Sequence, residues 1–73
     1  MYIETSDGYE VHQTSDGLAV FVNGELKCEL LEKSFEDYEL DECETGAVEF
    51  EIDGESIYLD EYQLEKDIEL EML

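Results

Sequence analysis

Turn signals written into the first half of the chain constrain its fold more than any other feature. Thr5-Ser6-Asp7-Gly8 recurs nine residues on as Thr14-Ser15-Asp16-Gly17, and Asn23-Gly24 follows. Asp-Gly and Asn-Gly between short apolar runs are strong hairpin signals, because glycine takes up positive φ without strain. Suppose each Ser-Asp-Gly is a three-residue loop with glycine at the left-handed bulge position, and Asn23-Gly24 a two-residue type I′ turn. Thr5 then faces Tyr9, Ile3 faces Val11, Val11 faces Phe21, and Phe21 faces Leu26. In that register Ile3, Tyr9, Val11, Ala19, Phe21, Leu26, Cys28 and Leu30 share one face, and a one-residue slip would divide them. The spacing predicts four antiparallel strands over 1–5, 9–13, 18–22 and 25–31.

The opposite face of such a meander carries Tyr2, Glu4, Glu10, His12, Leu18, Val20, Val22, Glu25, Lys27 and Glu29. It is polar except on the third strand, which is apolar on both sides. A strand of that kind is expected where a sheet is covered twice. The cover is either the following helix or a second copy of the chain, so a homodimer through Leu18, Val20 and Val22 is one expectation.

Downstream, Ser34 and Asp37 resemble a capping box, and Leu31, Phe35 and Tyr38 fall on one helical stripe, which predicts a short helix over 34–43. Residues 47–60 read as a hairpin turning at Asp53-Gly54. Val48 then faces Leu59, Phe50 faces Ile57 and Ile52 faces Glu55, with Glu49, Glu51, Ser56 and Tyr58 on the wet side. For 61–73 the caps favour a helix: Asp60 pairs with Gln63, Leu59 with Leu64 makes a hydrophobic staple, and Leu64, Ile68 and Met72 share a face. The alternation of Ile68, Leu70 and Met72 with acids keeps a strand as the alternative. The whole is one compact α+β domain over 1–73, a small antiparallel sheet of about six strands built from hairpins with one or two short helices packed on it.

Charge enters here. Against 23 Asp and Glu stand three Lys and no Arg, for a formal charge of −20 over 73 residues. Small soluble domains usually carry a net charge of magnitude ~2–8. The compactness rule gives a radius of gyration of ~11 Å and a body ~30 Å across. Duplex DNA carries one charge per ~1.7 Å of axis, so twenty charges correspond to ~34 Å of duplex. The expected charge is that of a DNA segment of the domain's own length.

Chemistry of other kinds finds little support. The glycines occupy turns and connections rather than a phosphate loop, the carboxylates lack EF-hand spacing, and one histidine with two cysteines falls short of a zinc set. His12 lies beside acids on the outer sheet face, where a strand residue needs no catalytic partner. No enzyme activity, cofactor or metal is expected. Cys28 and Cys43 are expected as reduced thiols. No basic leader or long apolar run is seen and an acidic surface opposes anionic lipid, so the expected setting is cytoplasmic, without membrane binding.

The acidic surface is thus the candidate site. The densest run holds Glu36, Asp37, Glu39, Asp41, Glu42 and Glu44; a second row holds Glu49 and Glu51 with Glu55 beyond the turn. Tyr38, Tyr58 and Tyr62 lie among them as expected contact anchors, a common role for tyrosine at interfaces. In composition and size the chain is similar to the small acidic DNA mimics of phages, including anti-CRISPR and anti-restriction proteins. That likeness implies an inhibitor seated in the nucleic-acid groove of a basic nuclease or defence complex, with no direct contact to nucleic acid. The alternatives are an immunity or antitoxin-type binder of one basic toxic enzyme, and a domain adapted to high salt.

Overall fold

The computed structural model describes residues 2–38, 47–52 and 54–73. Four strands, β1 (Tyr2–Glu4), β2 (Glu10–Gln13), β3 (Gly17–Val22) and β4 (Glu25–Leu31), form an antiparallel sheet in sequential order. A single turn of 3₁₀ helix, Phe35–Tyr38, follows; β5 (Ala47–Ile52) and β6 (Glu55–Asp60) make a separate hairpin, and α1 (Glu61–Met72) ends the chain. This is the small α+β architecture anticipated, divided between two sheets.

The two copies of Thr-Ser-Asp-Gly fold differently. At the first, the Thr5 amide donates to the Tyr9 carbonyl at 2.9 Å and Gly8 sits at φ 86°, the three-residue loop expected. At the second, the Thr14 amide donates to the Gly17 carbonyl at 2.7 Å, which leaves only Ser15 and Asp16 in the loop. The Thr14 hydroxyl accepts from the Asp16 and Gly17 amides at 3.2 Å each and closes this tighter turn. Gly17 becomes the first residue of β3, at φ 150° and so close to β4 that a Cβ would lie 2.2 Å from the Leu30 carbonyl oxygen.

One residue fewer in the loop turns β3 over. Val11 pairs with Val20, and Glu10 with Phe21, in place of the expected Val11–Phe21 pair. Leu18 and Val20 therefore enter the core, while Ala19 and Phe21 take the outer face, as a one-residue slip requires. The Phe21–Leu26 pair is present as anticipated but lies on the other side. A bulge where Val20 pairs with Cys28 and Phe21 with Leu26 skips Lys27 and carries Leu26 outward, half exposed. Leu18 and Val20, expected to project on the outer face where a homodimer could form, are instead fully buried in the core, and Val22 is half-buried. Asn23 at φ 53° and Gly24 at φ 80° make the type I′ turn as read.

The anticipated helix over 34–43 is the 3₁₀ turn Phe35–Tyr38; residues 39–43 lie outside the described residues. Its start is capped as the sequence suggested, the Ser34 amide donating to Asp37 Oδ2 at 2.7 Å. The β5–β6 hairpin has the predicted register throughout, from Val48–Leu59 to Ile52–Glu55. For the last segment the helix prevails over the strand. Asp60 Oδ1 accepts from the Gln63 amide at 3.1 Å, and Leu64 and Ile68 are fully buried on the anticipated stripe. Each such burial stabilises by about 1.5–3 kcal/mol. Leu70, off that stripe, is 62% exposed.

One core unites these parts. Val11, Leu18, Val20 and Leu30 of the sheet, Phe35 and Tyr38, Ile57 and Leu59 of the hairpin, and Leu64 and Ile68 of α1 form a single cluster. α1 lies chiefly along β4 on the inner side of the sheet. Among the described residues, the core side chains of the 3₁₀ turn, the hairpin and α1 join those on the inner side of the four-stranded sheet.

Candidate acidic interface

The body measures 30 × 24 × 21 Å, with a radius of gyration of 11.5 Å. On it the −20 charge has few internal partners. Among the described residues acid meets base at His12–Glu10, 2.7 Å, and at Lys27–Glu25, 3.3 Å. Lys66 instead stands over the Tyr62 ring, 5.9 Å from its centre. Exposed pairs of this kind contribute about 0–1 kcal/mol, so the acids are held by the fold rather than by counter-charge.

The hairpin presents the row read from the sequence. Glu49 and Glu51 are exposed, opposite Tyr58 and Ser56 respectively, and two residues along a strand place their Cα atoms about 6.6 Å apart. Tyr58 is 43% exposed beside them, a position compatible with an anchor. Glu55 is exposed at the hairpin tip, and its pairing with Ile52 puts it on the opposite face from Glu49 and Glu51.

The second predicted group is only partly described. Glu36 and Asp37 are exposed on the 3₁₀ turn, where Asp37 also serves as the cap of Ser34. Glu39, Asp41, Glu42 and Glu44 lie outside the described residues. Tyr38 is corrected: it is a core residue, 4% exposed, and not a surface anchor. Its hydroxyl donates to Asp67 Oδ2 at 2.9 Å, tying the 3₁₀ turn to α1. Burial, reinforced by Asp67, pushes that phenol well above its ordinary range.

The structure assembles a third acidic group that the sequence reading passed over. Glu61, Glu65 and Glu69 follow one another at four-residue intervals along α1, about 6 Å of helix rise apart. The β1–β2 turn docks on them. The Ser6 amide donates to Glu61 Oε1, while the Ser6 hydroxyl and the Asp7 amide donate to Glu65 Oε1 at 2.9 and 3.0 Å. The Asp7 carboxyl is raised above its usual range, first by its hydrogen bond with Glu65 and then by the charges of Glu65, Glu69 and Glu61. Partial burial pushes Glu65 upward, but hydrogen bonds from Ser6 and Asp7 outweigh it and hold Glu65 low. Of the two, Asp7 is thus the first to take up a proton as pH falls. A shallow recess of about 200 Å³ lies between Asp7, Tyr62, Glu65, Lys66 and Glu69. The i, i+4, i+8 spacing was the available signal; only the docking of a turn 55 residues away was invisible.

No set of three or more potential ligands is gathered to hold a metal ion among the described residues. Cys28 is a free thiol, half-buried, with burial and then the Glu71 charge pushing it up; Cys43 lies outside the described residues. No described helix is long and apolar enough to cross a membrane. No family model, curated protein or solved structure matches this chain.

Proposed function

We propose that the domain is a nucleic-acid mimic: an inhibitor that binds the basic nucleic-acid groove of a nuclease or host-defence complex of the kind targeted by anti-CRISPR and anti-restriction proteins. One observation carries this reading. A charge of −20 on a body 30 Å long is the charge that about 34 Å of duplex presents. Part of it sits on regularly spaced carboxylates, Glu49 and Glu51 on a strand and Glu61, Glu65 and Glu69 on a helix, both at roughly 6 Å intervals. Such a surface costs self-repulsion that solubility alone does not require. The domain acts by occupancy rather than by catalysis, in the cytoplasm where such grooves operate, and needs no cofactor.

The test is to capture a nucleic-acid-binding partner from cell extract on the immobilised domain, and then to titrate the complex of that partner and duplex DNA with this protein at two salt concentrations. Displacement of the DNA, with an association rate that falls steeply as salt rises, supports the mimic. A partner that binds domain and DNA together, with neither affecting the other, removes it and leaves an immunity-type binder as the better account.

A further inference from the structure

The turned-over β3 gives the outer face of the sheet a character of its own. Phe21 and Leu26 lie in one cross-strand row with Glu10 and Glu4, and Ala19 lies in the next with His12 and Tyr2. The rings form a continuous group. Tyr2 stacks on His12 with centroids 4.9 Å apart and planes at 20°, and His12 meets Phe21 edge-on at 5.2 Å. Tyr2 is 52% exposed and belongs to the edge strand β1, so with one ring face on His12 the other is left open beyond the sheet edge. His12 Nε2 and Glu10 Oε1 are hydrogen-bonded at 2.7 Å, which holds the central ring upright between its neighbours. Glu4 follows Tyr2 by two residues on the same face, its Cα about 6.6 Å along the strand.

An aromatic group of this size, rimmed by carboxylates and lying on the side of the sheet away from the described core cluster, has to be matched with an occupant. A second copy is opposed by charge, since two faces of a −20 domain would bring Glu4 and Glu10 against their own equivalents. Charge complementarity selects a cationic partner, and the rings select among cations. A guanidinium stacks flat on an aromatic face and forks to a carboxylate, whereas an ammonium is a compact and strongly hydrated point charge. We infer that the outer face of the sheet docks an arginine-bearing protein surface, with one guanidinium stacked on the free face of Tyr2 and reaching the Glu4 carboxylate. The inference rests on the proposed reading of the domain as a binder of basic proteins, and assigns the anchor of that contact to β1–β3 rather than to the acidic rows.

Nona-arginine and nona-lysine peptides, equal in charge, are the probes. The wild-type domain is expected to bind the arginine peptide several-fold more tightly, with amide shifts in its NMR spectrum gathered on β1 and β2 for arginine and spread over the acidic rows for lysine. Tyr2→Leu is expected to bring the two affinities within about twofold, and Tyr2→Phe to keep most of the preference, because the ring rather than the hydroxyl makes the contact. Circular dichroism checks that both variants stay folded, and Glu49→Gln serves as a charge-loss control that lowers both affinities equally. An arginine preference untouched by Tyr2→Leu, or shifts centred on the hairpin or α1, overturns the inference. So does sedimentation showing a dimer that closes over Tyr2 and Phe21. The two readings fail separately: arginine docking on Tyr2 without displacement of DNA from any partner removes the mimic alone, and DNA displacement that survives Tyr2→Leu with no arginine preference removes this anchor alone.

Discussion

Gly8→Ala and Gly17→Ala make the same change in the same tetrapeptide, and the structure assigns them very different costs. Gly8 sits at φ 86° in open space, with nothing within 4 Å of the position a Cβ would take. Only backbone strain opposes alanine there, about 1–2 kcal/mol for an L-residue in the left-handed region. Gly17 adds contact to strain. A Cβ would lie 2.2 Å from the Leu30 carbonyl oxygen, 2.9 Å from Leu31 Cα and 3.0 Å from the Glu32 amide nitrogen, all of them backbone. No side chain can swing aside, so β3 and β4 have to part at this end. The Glu32 amide then loses the Asp16 carbonyl, now 2.9 Å away, and the Gly17–Leu31 pairing opens beside the buried Leu18 and Leu30. Each lost hydrogen bond costs about 0.5–1.5 kcal/mol, which with the strain gives a loss of about 3–4 kcal/mol at Gly17. For 73 residues the total stability is of order 4–11 kcal/mol, so Gly17→Ala removes a large share of it. Urea denaturation reads the difference: with a slope near 1 kcal/mol per molar, the two midpoints should lie about 2 M apart. Equal midpoints would refute the short second loop, and with it the orientation of β3.

The remaining expectations are smaller. Leu64→Ala and Ile68→Ala should each cost about 2–5 kcal/mol, whereas Leu70→Ala, at a 62% exposed site, should stay within about 0.5 kcal/mol in the same urea assay. Tyr38→Phe removes the bond to Asp67 from a buried site and should cost about 1 kcal/mol, or more if the Asp67 carboxylate is left short of a partner. The Asp7–Glu65 pair should dock the β1–β2 turn best with one proton between its members: above the raised Asp7 value both ionise and stability is lost as pH rises, and below the lowered Glu65 value both protonate and it is lost as pH falls. Protection of the Ser6 and Asp7 amides, taken relative to their intrinsic exchange rates at each pH, should therefore be greatest between those two points, and protection that only rises or only falls with pH would contradict this. Added salt at neutral pH should raise the melting temperature by screening the carboxylates, and a temperature indifferent to salt would argue against an uncompensated surface.

Where local chemistry decides, the chain was legible. Asp60 capping Gln63, Asn23-Gly24, and the β5–β6 register are each fixed by residues a few positions apart, and all stand as read. The face of β3 was not legible, because a Ser-Asp-Gly loop closes acceptably with its glycine inside or outside the turn. What decides is remote: β4 passes so close to Gly17 that only glycine fits in a strand there. That single residue of loop length moved Leu18 and Val20 inward and Phe21 outward. The candidate site divides the same way. Glu49 and Glu51 follow from alternation, whereas Tyr38 looked like a surface tyrosine only until α1 and the hairpin closed over it. The group around Asp7 needed the turn to meet a helix from the other end of the chain.

The placement of the acids bears on which binding reading is preferable. α1 packs on the inner side of the four-stranded sheet and Glu10 and Glu29 take its outer face, while Glu4 and Glu61 line one recess at the sheet edge, so these acids and Glu65 and Glu69 form a band that runs round that edge. A binder of one toxic enzyme through a single flat interface engages part of this band and leaves the rest as unused repulsion. A groove or channel that encloses nucleic acid meets negative charge from several directions at once, and such a partner draws on the whole band. Replacing Glu61, Glu65 and Glu69 by Gln in one variant, and Glu4, Glu10 and Glu29 in another, separates the cases. An enclosing groove should lose affinity with either variant and lose salt dependence in proportion to the charges removed, whereas a flat interface should respond to one and ignore the other.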